Sequence, residues 1–175
     1  PYSRIFIVLP PSSIPPSDCI ALPAAPKIKS FGNTKDRFPV YSITKSLVSM
    51  AVGIAESEGL IKITESVADC LPETFINKLS PEKMRIFKEL TIERLLTMSI
   101  KGLPFRPQGE NWLKFISEFQ FNLQKKGFCY SNICAYLVSV ALENRLEKPL
   151  YDYLKQKLFT PLEIPDPPYT LSPEG

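Results

Sequence analysis

The chain has 175 residues, of which 44% are hydrophobic and 22% charged, with a formal net charge of +3 and no histidine. This balance is typical of one globular domain, or of one piece of a larger domain. Its basic residues are scattered among acids and form no stripe with interleaved aromatics, so nucleic acid is not an expected partner. The longest apolar stretch, 47–55, is far shorter than the roughly 20 residues that cross a bilayer, so no membrane span is expected.

The cysteines are spread over most of the sequence, at Cys19, Cys70, Cys129 and Cys134. Without histidine, the close pair Cys129 and Cys134 does not complete a metal-ligand set, so no metal site is expected. The wide spacing favours buried thiols over a disulfide scaffold, which is typical of a reducing compartment such as the cytoplasm. No leader is visible at the first residues, so no signal identifies the compartment.

The first 40 residues form a proline-rich segment. Its β-leaning runs, 4–10 and 19–24, contain or adjoin prolines, which cannot donate to a β ladder. We therefore predict short edge strands in the segment 1–40, and helical structure over 41–175.

The first predicted helix runs from Ser42 to Gly59. Apolar residues cover nearly all of its surface, which predicts a helix buried on most sides. Gly59 stands where a left-handed C-terminal cap belongs.

Later helices carry ordinary start signals. Ser80 followed by Pro81 predicts a helix N-terminus, and Thr91 opens a short amphipathic helix. Further helices are predicted over 109–119, 131–146 and 150–159, the last ended by Pro161.

Ser42 and Lys45 form a Ser-x-x-Lys motif at the start of the first helix. This spacing puts both side chains on one face, with Cβ atoms about 5–6 Å apart. The unpaired N–H groups of the first turn and burial in an apolar run both disfavour a protonated amine. A neutral lysine can take the serine proton, and the N–H groups can stabilise an oxyanion. The alternative is that Ser42 only caps the helix and Lys45 lies in solvent.

A second Ser-x-x-Lys occurs at Ser80 and Lys83. Here capping explains the serine, the segment is polar, and no apolar wall is expected to desolvate Lys83. We therefore assign this copy no catalytic role.

Tyr130 and Asn132 form a second candidate motif before another apolar helix. Side chains two residues apart share one side of an extended segment. A phenol near an ammonium has a lowered pKa and can exchange protons with it, while the amide offers donors and an acceptor to a substrate. The alternative is that Asn132 caps the helix and Tyr130 is merely half-buried.

Together these motifs resemble the class C β-lactamase-related serine hydrolases, a family that includes DD-peptidases and esterases. The likeness covers residues 38–167 in the same order and is carried by the segments 41–73, 90–104 and 128–164. It implies an α+β fold, with a mostly helical region and a short, incomplete antiparallel sheet. It also implies that Ser42 is the acylated serine, Lys45 its lysine and Tyr130 a proton-shuttling tyrosine. Asn132 is then the contact to the substrate.

The sequence departs from that family in its third motif, a Lys or His, then a small residue, then Gly. The one Lys-x-Gly, at 125–127, precedes Tyr130 and is in the wrong place. Where relatives read Thr-Ser-Gly, this chain reads Ser-Ile-Lys-Gly at 99–102. We therefore expect residues 41–175 to be the helical part of one domain whose C-terminal sheet half is absent, either as a fragment or as a reduced relative.

The leading hypothesis is a serine hydrolase that forms an acyl-enzyme from a small-molecule or peptide amide or ester. The alternatives are a non-catalytic remnant or binding fragment of that fold, and an unrelated all-helical interaction domain. The last would be favoured if Ser42 lay away from Tyr130. An exposed apolar helix face further predicts self-association.

Overall fold

The computed structural model describes residues 39–121 and 127–173. The predicted edge strands lie outside these ranges, so the short sheet and the boundary after residue 40 stay predictions. Within the described ranges the chain is helical, and one isolated antiparallel β-bridge joins Ser66 to Thr91. Each helix in these ranges is too short or too polar to span a bilayer.

The described part of the chain contains seven α-helices. They are α1 (Thr44–Ser57), α2 (Glu73–Ile76), α3 (Pro81–Glu89), α4 (Ile92–Leu96), α5 (Trp112–Glu118), α6 (Asn132–Leu146) and α7 (Leu150–Leu154). Single 3₁₀ turns lie at Tyr41–Ile43 and Val67–Asp69, and α7 continues into a π-helical turn, Lys155–Phe159.

The predicted helix ends follow from local chemistry. The Ser80 hydroxyl accepts the Lys83 N–H at 3.3 Å at the start of α3, and the Thr91 hydroxyl accepts the Arg94 N–H at 3.2 Å at the start of α4. Gly59 has φ +74°, a left-handed conformation that glycine adopts without a Cβ clash. These three predictions are confirmed.

Helix α6 lies at the centre of the core. It packs against α1, α4 and α7, and seven of its fifteen residues are buried. Its apolar residues surround the helix axis, which is typical of a helix with neighbours on several sides. The N-termini of α1 and α6 meet at one end of this packing, where Ser42 and Tyr130 lie in hydrogen-bond contact.

The prediction that the first helix is buried on most sides is wrong for the described structure. One face of α1 is buried, with Leu47, Ala51 and Ala55 in the core, but Met50 on the opposite side is 42% exposed. The pattern overestimated burial because apolar residues all round a helix show which faces can be covered, not which face has a neighbour. The predicted self-association concerns this uncovered face and stays a prediction.

Lys83 also differs from expectation. We expected no apolar wall around it, yet the residue is 6% exposed and its Nζ lies 5.1 Å from the ring centroid of Phe121. Burial lowers the pKa of this amine, and no residue in the described ranges accepts a hydrogen bond from it. Sequence reasoning missed this environment because Phe121 is far from Lys83 along the chain.

Candidate active site

Ser42 lies in the 3₁₀ turn that leads directly into α1, and it is exposed. The turn is closed by the Ile43 N–H, which donates to the Val40 carbonyl at 3.0 Å. No side chain caps this turn or the start of α1. The alternative that Ser42 serves as a helix cap is therefore wrong, and its hydroxyl is engaged elsewhere.

Tyr41, just before Ser42, has a left-handed backbone conformation with φ +44°. Bulky residues rarely adopt this region, and holding one there costs on the order of 1–3 kcal/mol. Strain of this kind concentrates at functional sites, where surrounding structure imposes it. No local sequence signal predicts it, since tyrosine has no preference for positive φ.

Two side chains converge on the Ser42 hydroxyl. The Lys45 Nζ donates to Ser42 Oγ at 3.2 Å, as the helical spacing predicts. The Tyr130 hydroxyl donates to the same oxygen at 2.6 Å. The Lys45 Nζ also lies 5.0 Å from the Tyr130 ring centroid, so the three groups form one cluster. This convergence removes the main support for an unrelated interaction domain.

Tyr130 is held in place by its neighbours. Three hydrogen bonds join the segment around it to the loop after α4: Cys129 N–H to Met98 O at 3.0 Å, Ser131 Oγ to Pro104 O at 2.7 Å, and Asn132 N–H to Phe105 O at 2.8 Å. Because bonds on both sides of Tyr130 fix the backbone, the phenol is presented to Ser42 from a rigid segment.

Asn132 is the first residue of α6 and is half-buried. Ser131, not Asn132, caps this helix, because its hydroxyl accepts the Ile133 N–H at 3.2 Å. The alternative role of Asn132 as a cap is therefore wrong. Within the described residues, no hydrogen bond joins its side-chain amide to Ser42, Lys45 or Tyr130, so the cluster contains three of the four predicted site residues.

The electrostatics of the cluster favour an ionisable tyrosine. Partial burial raises the pKa of Tyr130. Hydrogen bonds to Ser42 and Lys45 and the charge of Lys45 together lower it by a larger amount, so the pKa falls below its ordinary value. The opposite charge stabilises the phenolate form. Tyr130 therefore ionises at a lower pH than an isolated tyrosine.

Lys45 also borders a small cavity. The cavity has a volume of about 40 Å³ and lies between α1, α4 and α6, with Val48, Leu95 and Val138 on its walls. Its lining is largely apolar, so the lysine stem has apolar neighbours while its amine faces Ser42. The half-buried Lys45 thus does not lie in open solvent.

Sequence reasoning missed Phe105 as a member of the site. Its ring stacks on Tyr130, with centroids 6.0 Å apart and planes inclined by 23°. The pairing depends on how the loop after α4 contacts the segment before α6, and no local sequence pattern predicts that contact.

No group of three or more His, Cys, Asp or Glu side chains in the described ranges could hold a metal ion.

Two comparisons with known proteins give matches, one to a family and one to a solved structure. The model of the β-lactamase family matches residues 32–175. The chain is similar in structure to a β-lactamase/D-alanine carboxypeptidase from Yersinia pestis, determined with citrate, at 21% identity and a TM-score of 0.53. That match covers 70% of this chain and 37% of the other, so the chain spans well under half of that protein. None of the curated proteins matches the chain. On the family match, which includes every predicted site residue, the chain belongs to the β-lactamase family.

Proposed function

We propose that the protein is a serine hydrolase of the β-lactamase and DD-peptidase type, which forms an acyl-enzyme at Ser42 from an amide or ester. The observation that carries this proposal is the convergence of Lys45 and Tyr130 on one exposed serine hydroxyl. Membership of the β-lactamase family supports a serine hydrolase. These 175 residues contain no histidine, so among them other groups must move the proton.

Tyr130 is the proton acceptor in this proposal. Its oxygen lies 2.6 Å from Ser42 Oγ, within the range that direct proton transfer requires. In the neutral state the phenol donates to Ser42, and after ionisation the bond reverses so that Ser42 donates to the phenolate. The lowered pKa of Tyr130 increases the fraction of molecules in this reactive state.

Lys45 supports the transfer as a nearby cation. It donates to Ser42 Oγ at 3.2 Å and its charge contributes to the lowered pKa of Tyr130. The sequence suggested that Lys45 itself takes the serine proton. We favour Tyr130 in that role because its oxygen is closer to Ser42 and because a donor amine that stabilises the phenolate cannot be the acceptor at the same moment.

The reaction then follows with balanced atoms. Ser42 Oγ bonds to the substrate carbonyl carbon, and its proton passes to Tyr130. The carbon–nitrogen or carbon–oxygen bond to the leaving group breaks, and Tyr130 returns the proton to that group. Water later cleaves the acyl–Ser42 ester. The oxyanion that forms at the carbonyl carbon requires backbone N–H donors close to Ser42.

Asn132 is the proposed substrate contact. It begins α6, two residues after Tyr130, and its backbone is fixed by the hydrogen bond to Phe105. A side-chain amide can both donate to a substrate carbonyl and accept from a substrate N–H, which suits an amide substrate. No organic cofactor or metal takes part in this scheme.

The proposal is tested by covalent labelling of the full-length protein that carries this chain. A fluorophosphonate or a labelled penicillin should add its mass to the peptide that contains Ser42, as read by mass spectrometry. Ser42→Ala should abolish the adduct, while Ser46→Ala, at an exposed serine four residues later in α1, should keep it. Absence of any adduct in the folded wild type would favour the alternative, a non-catalytic remnant of the fold.

A further inference from the structure

Met98 has a left-handed backbone conformation at a position where glycine is the usual residue. Its φ is +50°, in the turn that ends α4. Two backbone hydrogen bonds close this turn: the Met98 N–H donates to the Leu95 carbonyl at 3.0 Å, and the Ser99 N–H donates to the Arg94 carbonyl at 2.9 Å. This is the Schellman pattern, in which glycine avoids the Cβ clash that methionine has. The turn itself therefore does not require a methionine side chain.

The backbone of Met98 also supports Tyr130. The Met98 carbonyl accepts the Cys129 N–H at 3.0 Å, which fixes the residue immediately before Tyr130. Any residue that keeps the left-handed turn offers the same carbonyl, so this bond does not require the methionine side chain either. The role of that side chain must come from its own contacts.

Met98 lies at the cavity beside Lys45. It is half-buried, packs against the hydrophobic core, and is one of the residues that line the cavity of about 40 Å³ between α1, α4 and α6. Lys45 lines the same cavity, while its amine donates to Ser42 Oγ at 3.2 Å. In the described part of the chain, neither Ser42 nor Tyr130 lines it. Met98 therefore bounds a space beside Lys45 that is separate from the reacting groups.

We propose that Met98 is a positioning residue for Lys45: its side chain keeps the space beside the lysine small and apolar, so that the amine stays on Ser42 and Tyr130. This inference rests on the proposed function and adds a residue to the same site. A lysine stem that packs against apolar side chains directs its amine to the polar groups within reach. The flexible thioether of methionine suits a gap of irregular shape.

Removing the thioether would enlarge the cavity beside Lys45. A water molecule needs about 10–15 Å³ and polar partners, and Lys45 and Ser49 on the lining offer such partners. Additional water there would compete with Ser42 for the hydrogen bonds of the amine. It would also screen the attraction between the ammonium and the Tyr130 phenolate. Both effects would slow the transfer of the serine proton.

Met98→Ala and Met98→Gly test the side chain. Both remove the thioether, and glycine also favours the left-handed turn, so it keeps the carbonyl that holds Cys129. We expect the rate of acylation of the full-length protein by a labelled penicillin at pH 7 to fall on the order of 10-fold in each variant. A 1 Å misplacement at an active site can cost about 10²-fold, and a change that acts through Lys45 should cost less.

Two further variants serve as controls. Met98→Leu retains apolar volume on the cavity wall and should restore most of the rate. Met84→Ala makes the same change at another half-buried methionine, which packs against the core from α3, and should leave the rate unchanged. A wild-type rate in Met98→Gly overturns the inference.

A double-mutant cycle with Lys45→Gln shows whether Met98 acts through Lys45. If it does, Met98→Gly lowers the acylation rate when Lys45 is present and changes it little in the Lys45→Gln background. Equal fold losses in both backgrounds would show that Met98 supports the site only as general structure, and would overturn the inference.

Titration of Tyr130 separates this inference from the proposed function, because it needs no acylation. Burial raises the pKa of Tyr130, and hydrogen bonds to Ser42 and Lys45 and the charge of Lys45 lower it by a larger amount. The neighbouring thiols are Cys129, just before Tyr130, and Cys134 on α6, which interacts with Lys45. Burial raises the pKa of Cys134 to about 12, so it stays neutral. The titration uses Cys129→Ser protein, which removes the other thiol.

The phenol is followed by NMR of full-length protein labelled with ¹³Cζ-tyrosine, and its signal is assigned with Tyr130→Phe. If Met98 holds the amine beside the phenol, Tyr130 should titrate at higher pH in Met98→Gly and at the wild-type pH in Met84→Ala. That result supports the inference even if Ser42 is never acylated. An unchanged titration of Tyr130 in Met98→Gly overturns it, whatever the labelling of Ser42 shows.

Discussion

The Tyr130 hydroxyl lies 2.6 Å from Ser42 Oγ although 88 positions separate the two residues. The contact exists because α1 and α6 pack together, so that the segments just before each helix meet. Ser42 and Tyr130 both stand outside the α-helices, in short segments closed by backbone hydrogen bonds. The contact between Ser42 and Tyr130 therefore depends on the packing of α1 against α6.

Replacing Tyr130 by Phe removes the proposed proton acceptor while keeping the ring that stacks on Phe105. We expect the rate of acylation by a labelled penicillin to fall by at least about 10²-fold, the lower end of general-base contributions. The rate is obtained from samples of the full-length protein that are quenched at successive times and analysed by mass spectrometry. Tyr169→Phe, a phenol away from the cluster, serves as the control, and an unchanged rate in Tyr130→Phe would assign the proton transfer to another group.

Lys45→Gln should change the pH dependence of acylation. The charge of Lys45 lowers the pKa of Tyr130, so its removal lets that pKa rise towards the ordinary tyrosine value of about 10. Acylation needs the phenolate, so its rate rises with pH through this pKa, and the rising limb should move to higher pH in the variant. Rates measured between pH 6 and 10.5 test this, and a limb that stays in place would contradict the coupling.

Lys83→Met should stabilise the protein. A buried amine without a partner in the described residues favours its neutral form, so burial lowers its folded-state pKa. Between that lowered pKa and the unfolded value the unfolded chain binds more protons, and the free energy of unfolding therefore rises with pH in this window. Replacing the amine should raise this free energy by at least about 1 kcal/mol at neutral pH and flatten its rise with pH.

Urea unfolding at several pH values measures this effect. Lys88→Met, an exposed lysine on the same helix, is the control and should change little. A Lys83→Met variant that is less stable than the wild type at neutral pH would show that the amine has a favourable role in the fold.

The cysteines should differ in how fast their thiols react. Burial raises the pKa of Cys70 to about 11 and that of Cys134 to about 12, and both side chains are fully buried. Cys129 is half-buried, so it should be the thiol of these three that reacts with Ellman's reagent at pH 8. The Cys19→Ser variant removes the remaining cysteine of this chain, and mass spectrometry locates the adduct. Rapid modification of Cys70 or Cys134 in the folded protein would contradict their burial.

Interactions between residues close in sequence made part of the site and two helix caps predictable. The contact of Lys45 with Ser42 follows from helical spacing, and the caps at Ser80 and Thr91 follow from hydroxyls placed before apolar runs. Their partners lie within four residues along the chain, so sequence alone contains the relevant geometry. The pairing of Tyr130 with these residues was expected through family resemblance, since no spacing rule joins positions so far apart.

Other features could not be predicted because they depend on tertiary packing. The stack of Phe105 on Tyr130 and the burial of Lys83 against Phe121 both require distant segments to meet. The left-handed conformation of Tyr41 is imposed against the residue's own preference. The exposed face of α1 shows the reverse case, where an apolar pattern suggested burial that the described part of the chain does not provide.

A polypeptide limited to these 175 residues should hydrolyse activated esters or chromogenic β-lactams hardly faster than background. Losing one preorganised oxyanion donor typically costs about 10² to 10³ in rate. No strand in the described ranges lies beside Ser42 to supply a second donor, and both Ser42 and Tyr130 are exposed to water. Solvent also weakens the interaction of Lys45 with the phenolate. Steady-state turnover on purified monomer, compared with Ser42→Ala, tests this, and a robust rate that disappears in the variant would show that the polypeptide completes its site with residues outside the cluster described above.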